Sequence, residues 1–259
     1  MSALASIALA LRVLSADFCA DQFAVALADR SDIAALSPDA ARDFSHLRAE
    51  ARGLPRARAD AEEALSRGAD LVLRFWGGDA ARFERLGVRT VTLDYAADFD
   101  AVKANIRAAA AALGHETRGE ALIADMEARL AALSARGPSG VRTLYVTPGG
   151  VTAGKGTMID AIFAAAGVVN VAATQDGWPP LPLEKLVVEP PQLVVAGFFR
   201  SDAESANHWT VARHPVLKEV FGKTPTLHLP ADVPGCPAWF SVAAAEMIRD
   251  AADGARHAR

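Results

Sequence analysis

The sequence has few of the residues from which catalytic and metal sites are built. Its 259 residues include only two cysteines, Cys19 and Cys236, so there is no disulfide framework and no C-x-x-C motif. We expect two free thiols, and the alternative is a bridge between them in an oxidising compartment. The six histidines form no H-x-x-H or H-E-x-x-H pair, and no serine lies in a G-x-S-x-G elbow. These absences argue against zinc hydrolases, serine hydrolases and dithiol redox enzymes, and no metal ligand is predicted.

Positive charge and long apolar runs are also limited. Lysine and arginine number 27 against 31 aspartates and glutamates, and the basic residues are scattered, so no stripe for nucleic acid is formed. Residues 1–10 are apolar and end in Ala8-Leu9-Ala10, the small-x-small form of a signal-peptidase site, but they have no basic start. We interpret them as the remnant of a secretion signal that begins upstream. The alternative is an ordinary N-terminal extension.

What is present is an alternation of apolar strands and helices, which is typical of parallel α/β sheets. In the first half, strands are predicted at 12–16, 33–36, 71–75 and 88–93, with helices at 19–28, 60–68 and 80–86. In the second half, strands are predicted at 141–146, 192–196 and 226–229, with helices at 158–166, 183–186 and 239–253. The chain is therefore predicted to be an α/β protein with two parallel sheets.

The middle of the chain separates these halves. Residues 98–136 show no strand signal and carry two helical stripes divided by Gly114. The predicted domains are a signal remnant at 1–10, an N-terminal α/β lobe at 11–113, a linking helix at 114–136 and a C-terminal α/β lobe at 137–259. A helix of this length spans about 30 Å at a rise of about 1.5 Å per residue, so we expect it to join two Rossmann-like lobes that face each other across a ligand cleft. We also expect a monomer.

Two glycine-rich turns follow strands of the predicted sheets, at Gly77-Gly78 and at 149–156. Parallel α/β proteins bind ligands at the carboxyl ends of their strands, where glycine lets the backbone approach closely. Aromatic residues are only 7% of the chain, yet several fall in loops at these ends, where they suit a wide apolar pocket. The candidates are Phe75, Trp76, Tyr95, Trp178, Phe198, Trp209, Trp239 and Phe240. The alternative for each ring is that it fills the core.

The second glycine turn, GGVTAGKG, also comes close to a phosphate-binding loop. Its glycine and lysine spacing fits, but Gly156 stands where a serine or threonine would hold magnesium, and Thr157 comes one residue late. Nucleotide hydrolysis is therefore disfavoured. A cytoplasmic α/β enzyme that uses this loop for a phosphate ligand is kept as an alternative.

Three segments carry a resemblance to a known family: RVLSADFCADQFAVALAD, AEEALSRGADLVLRFWGG and VTAGKGTMIDAIFAAAGVVNVA. They resemble the periplasmic binding proteins of iron-siderophore and vitamin B12 ABC importers, and the resemblance covers nearly the whole chain. The likeness is greatest to the vitamin B12-binding members, whose corrin pocket is lined by segments similar to the Trp76 turn, Thr152–Lys155, Trp178-Pro179 and Trp239-Phe240.

The resemblance implies a periplasmic receptor without enzymatic activity or a cofactor of its own. Its ligand would be a bulky metal chelate, a cobalt corrinoid, delivered to the membrane permease of an ABC transporter. A ferric siderophore or haem is the alternative, and Arg74 and Lys155 are the cations that would suit an anionic chelate. The remaining ligand-binding residues implied are Asp17, Phe18, Gly77, Thr152, Gly154 and Lys155.

The family docks onto its permease through one acidic residue on each lobe. Glu184, six residues after Trp178, stands at the position expected for the second lobe. The first-lobe position aligns with Ala81, which is not acidic, so the resemblance implies that Glu84, one helical turn later, takes this role.

Overall fold

The computed structural model describes residues 11–76, 78, 80–197, 217, 219 and 222–257. The predicted signal remnant at 1–10 therefore lies outside the described residues. Residue contacts divide the chain into two compact units, the first formed by Met1–Asp94 with Ile106–Glu120 and the second by Tyr95–Asn105 with Ala121–Arg259. The domain boundaries read from the sequence stay a prediction.

The first unit is built on a four-stranded parallel sheet. Its strands are β1 (Val13–Ser15), β2 (Ile33–Ala35), β3 (Leu71–Arg74) and β4 (Arg89–Thr92), and they lie in the order β2-β1-β3-β4. The first three strands are buried along their whole length, as expected where helices cover both faces of a parallel sheet. Because all pairs are parallel, the four carboxyl ends lie at one edge.

Three α-helices and one 3-10 helix surround this sheet. They are α1 (Phe18–Leu27), the 3-10 helix Pro38–Ala41, α2 (Ala61–Ser66) and α3 (Ala80–Glu84). The N-cap predicted at Asp60 is present, since its carboxylate accepts the backbone N–H of Glu63 at 2.9 Å. Leu14, Val72 and Phe83 belong to the core that joins sheet and helices.

The second unit repeats the arrangement. Its strands are β5 (Arg142–Val146), β6 (Val169–Asn170), β7 (Leu193–Ala196) and β8 (Thr226–His228), all parallel, in the order β6-β5-β7-β8. Its helices include α6 (Met158–Ala165), α7 (Leu183–Val188) and α8 (Ser241–His257). The strand order is the same as in the first unit, so the two halves share one topology.

Two long helices, α4 (Phe99–Leu113) and α5 (Glu116–Ala135), contribute residues to both units. The second has 20 residues, close to the length expected for the linking helix. In the second unit it is tied to α8, because Arg129 makes a two-pronged ion pair with Glu246 at 2.9 and 2.6 Å. The buried Arg249 of α8 donates to the carbonyls of Arg136 and Gly137, which satisfies acceptors at the end of α5.

The cysteines differ from expectation. Cys19 and Cys236 are both buried and both disulfide-bonded, so the prediction of two free thiols is wrong. A disulfide to a residue that is distant in sequence leaves no local signal, and composition alone favoured free thiols. Among the helices of the described residues, none combines the length and the apolar character that a membrane crossing requires.

Candidate functional site

Asp17 organises the carboxyl edge of the first sheet. It is the N-cap of α1, where its Oδ1 accepts the N–H groups of Cys19 and Ala20 at 3.1 and 2.9 Å. Its Oδ2 accepts the N–H groups of Phe75 and Trp76 at 2.8 and 3.1 Å. One carboxylate therefore fixes the turn after β3 to the start of α1. Both oxygens of Asp17 already accept backbone N–H groups. The predicted contact of Asp17 with the ligand stays a prediction.

Trp76 is the aromatic residue that this turn presents. Its ring meets the ring of Phe75 edge-on at 5.2 Å, and Phe75 in turn stacks on Phe23 at 6.4 Å. Phe75 is buried, whereas Trp76 is 44% exposed. The core therefore supports Trp76 from below and leaves almost half of the residue open.

The remaining first-sheet candidates are more varied. Phe18 is half-buried and meets Phe44 edge-on at 5.0 Å, a contact that was not foreseen because Phe44 lies in an irregular loop. Tyr95, three residues after β4, is exposed. Gly77 lies outside the described residues.

The second glycine of this turn lies against the Arg74 side chain. The buried Arg74 side chain folds back beneath the turn and donates from Nε to the carbonyl of Trp76 at 3.3 Å. Gly78 has φ of +152°, and a Cβ there would lie 1.8 Å from an Arg74 nitrogen. A side chain at this position would displace the guanidinium. Arg74 thus supports the turn and has little surface left for an anionic chelate.

In the second sheet, the predicted glycine turn is bonded to residues 175–179. The N–H groups of Thr152, Gly154 and Lys155 donate to the carbonyls of Pro179, Gly177 and Gln175 at 2.9, 2.8 and 2.7 Å. A Cβ at Gly154 would lie 2.1 Å from the Gln175 carbonyl, so only glycine fits. These three donors are therefore occupied, whereas a phosphate-binding loop keeps its backbone N–H groups for the ligand.

Asn170 and Thr157 hold the same turn from the other side. Asn170 donates to the Ala153 carbonyl at 3.0 Å and to Asp160 at 2.8 Å. The Thr157 hydroxyl donates to the Gly154 carbonyl at 2.9 Å and caps α6. Asn170 and Thr157 thus have a structural role, which is to fix the turn between β5 and α6.

Trp178 is the second-sheet counterpart of Trp76. It is 43% exposed, and its ring meets that of Tyr145 edge-on at 6.1 Å. Tyr145 is fully buried on β5, and burial raises the pKa of its hydroxyl. Its hydroxyl occupies the space that a side chain at Gly197 would need, at 2.0 Å from that Cβ position. Sequence reasoning missed Tyr145 because a ring within an apolar strand resembles ordinary core.

The other second-unit candidates divide by exposure. Trp239 and Phe240 are buried and meet edge-on at 5.3 Å, and Thr152 is fully buried. Lys155 is exposed. Phe198 and Trp209 lie outside the described residues. The ligand-binding roles of all six stay predictions.

Both predicted docking carboxylates lie on the surface. Glu84 ends α3, and Glu184 lies in the first turn of α7. Each is exposed, as is Ala81. On α7, Val187 and Val188 stand one turn after Glu184 and are also exposed, so this helix offers a carboxylate beside apolar surface.

One group of possible metal ligands appears in the described residues, formed by Asp29, Asp32 and His115. Their ligand atoms lie within 4.8 Å of one another, at the opposite edge of the sheet from Trp76. Arg118 donates to Asp29 at 2.5 Å, and this hydrogen bond lowers the pKa of the Asp29 carboxyl. Asp29 therefore already has a cationic partner.

Asp21 is a buried carboxyl on α1 of the first unit. It is 1% exposed, and its oxygens accept the N–H and the hydroxyl of Ser37, at 2.8 and 2.6 Å, which fixes the chain after β2. Burial raises the pKa of Asp21 to about 6, Asp17 adds to this, and hydrogen bonds from Ser15 and Ser37 oppose it. The folded protein therefore holds a proton on Asp21 at pH values where the unfolded chain has lost it.

This proton gives a predicted pH dependence of stability. The pKa of Asp21 in the folded protein exceeds the unfolded value of 3.8. Its contribution to the free energy of unfolding is therefore complete below pH 3.8 and is lost as the pH rises through about 6. The loss amounts to about 3 kcal/mol. Asp21→Asn keeps an acceptor for the Ser37 N–H, and its amide NH2 donates to the Ser37 hydroxyl where the carboxylate accepts from it, but it carries no ionisable group.

We expect the asparagine variant to gain stability relative to wild type as the pH rises from about 4 to about 7. Urea unfolding of both proteins across this range measures the difference and removes the contribution of groups that they share. An unchanged difference across the range would contradict a raised pKa at Asp21.

A family model described as periplasmic binding protein matches residues 70–220, more than half of the chain. No curated protein matches the sequence. Solved structures match over nearly the whole length of the chain, and three of them are named for different ligands.

The periplasmic vitamin B12-binding protein BtuF of Vibrio cholerae is 20% identical, with 95% of this chain and 97% of that chain covered and a TM-score of 0.69. The periplasmic heme-binding protein RhuT from Roseiflexus sp. RS-1 is 22% identical, with 94% and 99% covered and a TM-score of 0.69. An ABC-type Fe³⁺-hydroxamate transport protein from Saccharomonospora viridis DSM 43017 is 18% identical, with 93% and 92% covered and a TM-score of 0.67. The predicted fold class is confirmed, and at these identities the likeness concerns the fold alone.

Proposed function

The chain belongs to the periplasmic binding protein family, and on that premise we propose that it is the receptor of an ABC importer. We propose that it captures a corrinoid of the vitamin B12 type in the periplasm and delivers it to a membrane permease without altering it. The alternative ligands are a ferric siderophore or haem, which the family and its structural relatives support equally well.

The observation that supports a bulky, largely apolar ligand is the pair of tryptophans. Each parallel sheet presents one tryptophan beyond the carboxyl ends of its strands, Trp76 at 44% and Trp178 at 43% exposure, and each is backed by a buried aromatic ring. Exposed apolar rings on rigid supports are characteristic of binding sites, because burying them against a ligand contributes about 25 cal/mol per Å².

The hydrogen bonding of the two turns points the same way. Five of their backbone N–H groups are already bonded, two to Asp17 in the first unit and three to carbonyls of residues 175–179 in the second. These five groups are not available to bind an anion. This argues against the phosphate-binding enzyme, and it favours a ligand held by aromatic surface over one held by charge.

The cysteines support export. Both are disulfide-bonded, and disulfides persist in oxidising compartments such as the bacterial periplasm while cytosolic thiols are kept reduced. We propose in addition that the exposed carboxylates Glu84 and Glu184 engage basic residues of the permease.

Calorimetric titration tests the ligand and the site together. We expect one-to-one binding of cyanocobalamin, with cobinamide, haem and a ferric hydroxamate as the competing ligands. Trp76→Ala and Trp178→Ala should each weaken binding by about thirtyfold, because aromatic hot spots contribute about 2 kcal/mol. Both residues are half-exposed, so the melting temperature should change little.

Leu65→Ala is the matched control, since it truncates an exposed apolar side chain on α2 and should leave affinity unchanged. Binding of haem or the hydroxamate without any corrinoid binding would overturn the ligand and keep the receptor. Unchanged affinity in both tryptophan variants would overturn the site.

A further inference from the structure

After the 3-10 helix Pro38–Ala41, the chain between β2 and α2 is irregular, but the whole stretch is anchored at three places. After β2, Leu36 exchanges backbone hydrogen bonds with Pro55 and Ala57, each at 2.9 Å. The buried Gln22 of α1 accepts the N–H of Leu47 at 2.7 Å. Arg30, before β2, donates to the carbonyls of residues 50 and 52. These anchors fix the backbone of the segment against the edge strand of the first sheet.

Between the anchors the segment borders an open surface cavity of about 520 Å³. A cavity of this volume is in the range that holds small organic ligands. Its walls combine two kinds of residue. The apolar part is supplied by Ala41, Ala49, Ala51, Leu54 and Pro55, and the polar part by Arg48, Arg52 and Arg56. We call this cavity the arginine pocket.

The charge of the arginine pocket has one sign. No aspartate or glutamate lines it, although Asp39, Asp43 and Glu50 belong to the same segment. Within the described part of the chain, Arg52 and Arg56 form no ion pair. Arg48 donates to the Ser45 carbonyl at 3.1 Å. Guanidinium groups stay charged at every physiological pH and bind carboxylates through two parallel hydrogen bonds.

We propose that the arginine pocket is a binding site for an organic anion that carries at least two carboxylates on an apolar body. Three arginines supply the positive charge for the carboxylates, and the alanine, leucine and proline walls contact the apolar body. A bare inorganic anion would leave those walls without a partner. The site lies in the first unit and shares no residue with the proposed ligand-binding set, so it is tested separately from the receptor function.

Calorimetry on the full chain tests this with three matched probes. Isophthalate carries two carboxylates on a ring, benzoate carries one, and inorganic phosphate has no apolar body. We expect isophthalate to bind one-to-one, benzoate to bind more weakly and phosphate to bind weakest. Raising the salt concentration to about 0.15 M should weaken the binding of all three probes, because the arginines are exposed and salt screens their charges.

Arg52→Gln and Arg56→Gln should each lower isophthalate affinity about tenfold, since each removes a charge-assisted hydrogen-bonding group. Arg58→Gln removes the same charge from the same segment outside the pocket lining, and should leave affinity unchanged. No binding of isophthalate at millimolar concentrations, or an equal loss in Arg58→Gln, would overturn the site. Phosphate binding as tight as isophthalate would overturn the ligand class. Titration of the same variants with cyanocobalamin reports separately on the receptor function.

Discussion

Alanine in place of Asp17 is expected to lower the free energy of unfolding by about 4 kcal/mol. The carboxylate accepts four backbone N–H groups, two that begin α1 and two that begin the turn after β3. Loss of an N-cap costs about 1 kcal/mol, and each hydrogen bond to a charged acceptor contributes about 1.5 kcal/mol or more. Because β1 and β3 are neighbours in the sheet, the substitution loosens a helix and a strand end together.

Urea unfolding followed by circular dichroism measures this loss. Asp43→Ala is the control, because it removes an exposed carboxylate from the same unit and should change stability by less than about 0.5 kcal/mol. Asp17→Asn should lie between wild type and Asp17→Ala, since its single amide oxygen can serve only one of the two groups of donors. Equal stability of Asp17→Ala and Asp43→Ala would show that the four hydrogen bonds contribute nothing net.

The alternation of strands and helices was predictable because it is written in local periodicity. Strands predicted at 71–75 and 141–146 are found at Leu71–Arg74 and Arg142–Val146, so errors are of one residue at an end. The strand β6 was missed because its two residues, Val169 and Asn170, are too few to show a period. Its strand character comes from pairing with Arg142 and Thr143, which are distant in sequence.

The location of the glycine turns was also predictable, but their chemistry was not. The sequence predicted that glycine lets the backbone of these turns approach the ligand closely, whereas in the structure five of their N–H groups are bonded within the chain. Which ring of the Phe75-Trp76 pair is buried depends on Phe23, and no local pattern shows that contact. The arginines of the arginine pocket form a pattern in the sequence, since Arg48, Arg52 and Arg56 recur every four residues. The cavity itself depends on the anchors to Leu36 and Gln22.

Reversal of charge at the two docking positions is expected to abolish transport without affecting ligand binding. Glu184 begins α7 and Glu84 ends α3, and both are exposed, while the tryptophans that we assign to the ligand lie elsewhere on the chain. If arginines of the permease meet these carboxylates, Glu184→Arg places like charges together in the interface. Such contacts cost several kcal/mol at a protein interface, which weakens docking by more than a hundredfold.

Ligand-stimulated ATPase activity and uptake in vesicles that contain the permease are the measurements, with calorimetric ligand affinity beside them. Glu184→Arg should bind ligand like wild type but stimulate the ATPase activity of the transporter much less. The double variant with Glu84→Arg should lose the remaining stimulation. Glu62→Arg, a reversal of another exposed carboxylate on α2, should transport normally. Val187 and Val188 stand beside Glu184, so the interface there should also bury apolar surface, and stimulation should weaken when both are replaced by serine. Normal uptake by the double reversal would show that the permease binds a different face of the protein.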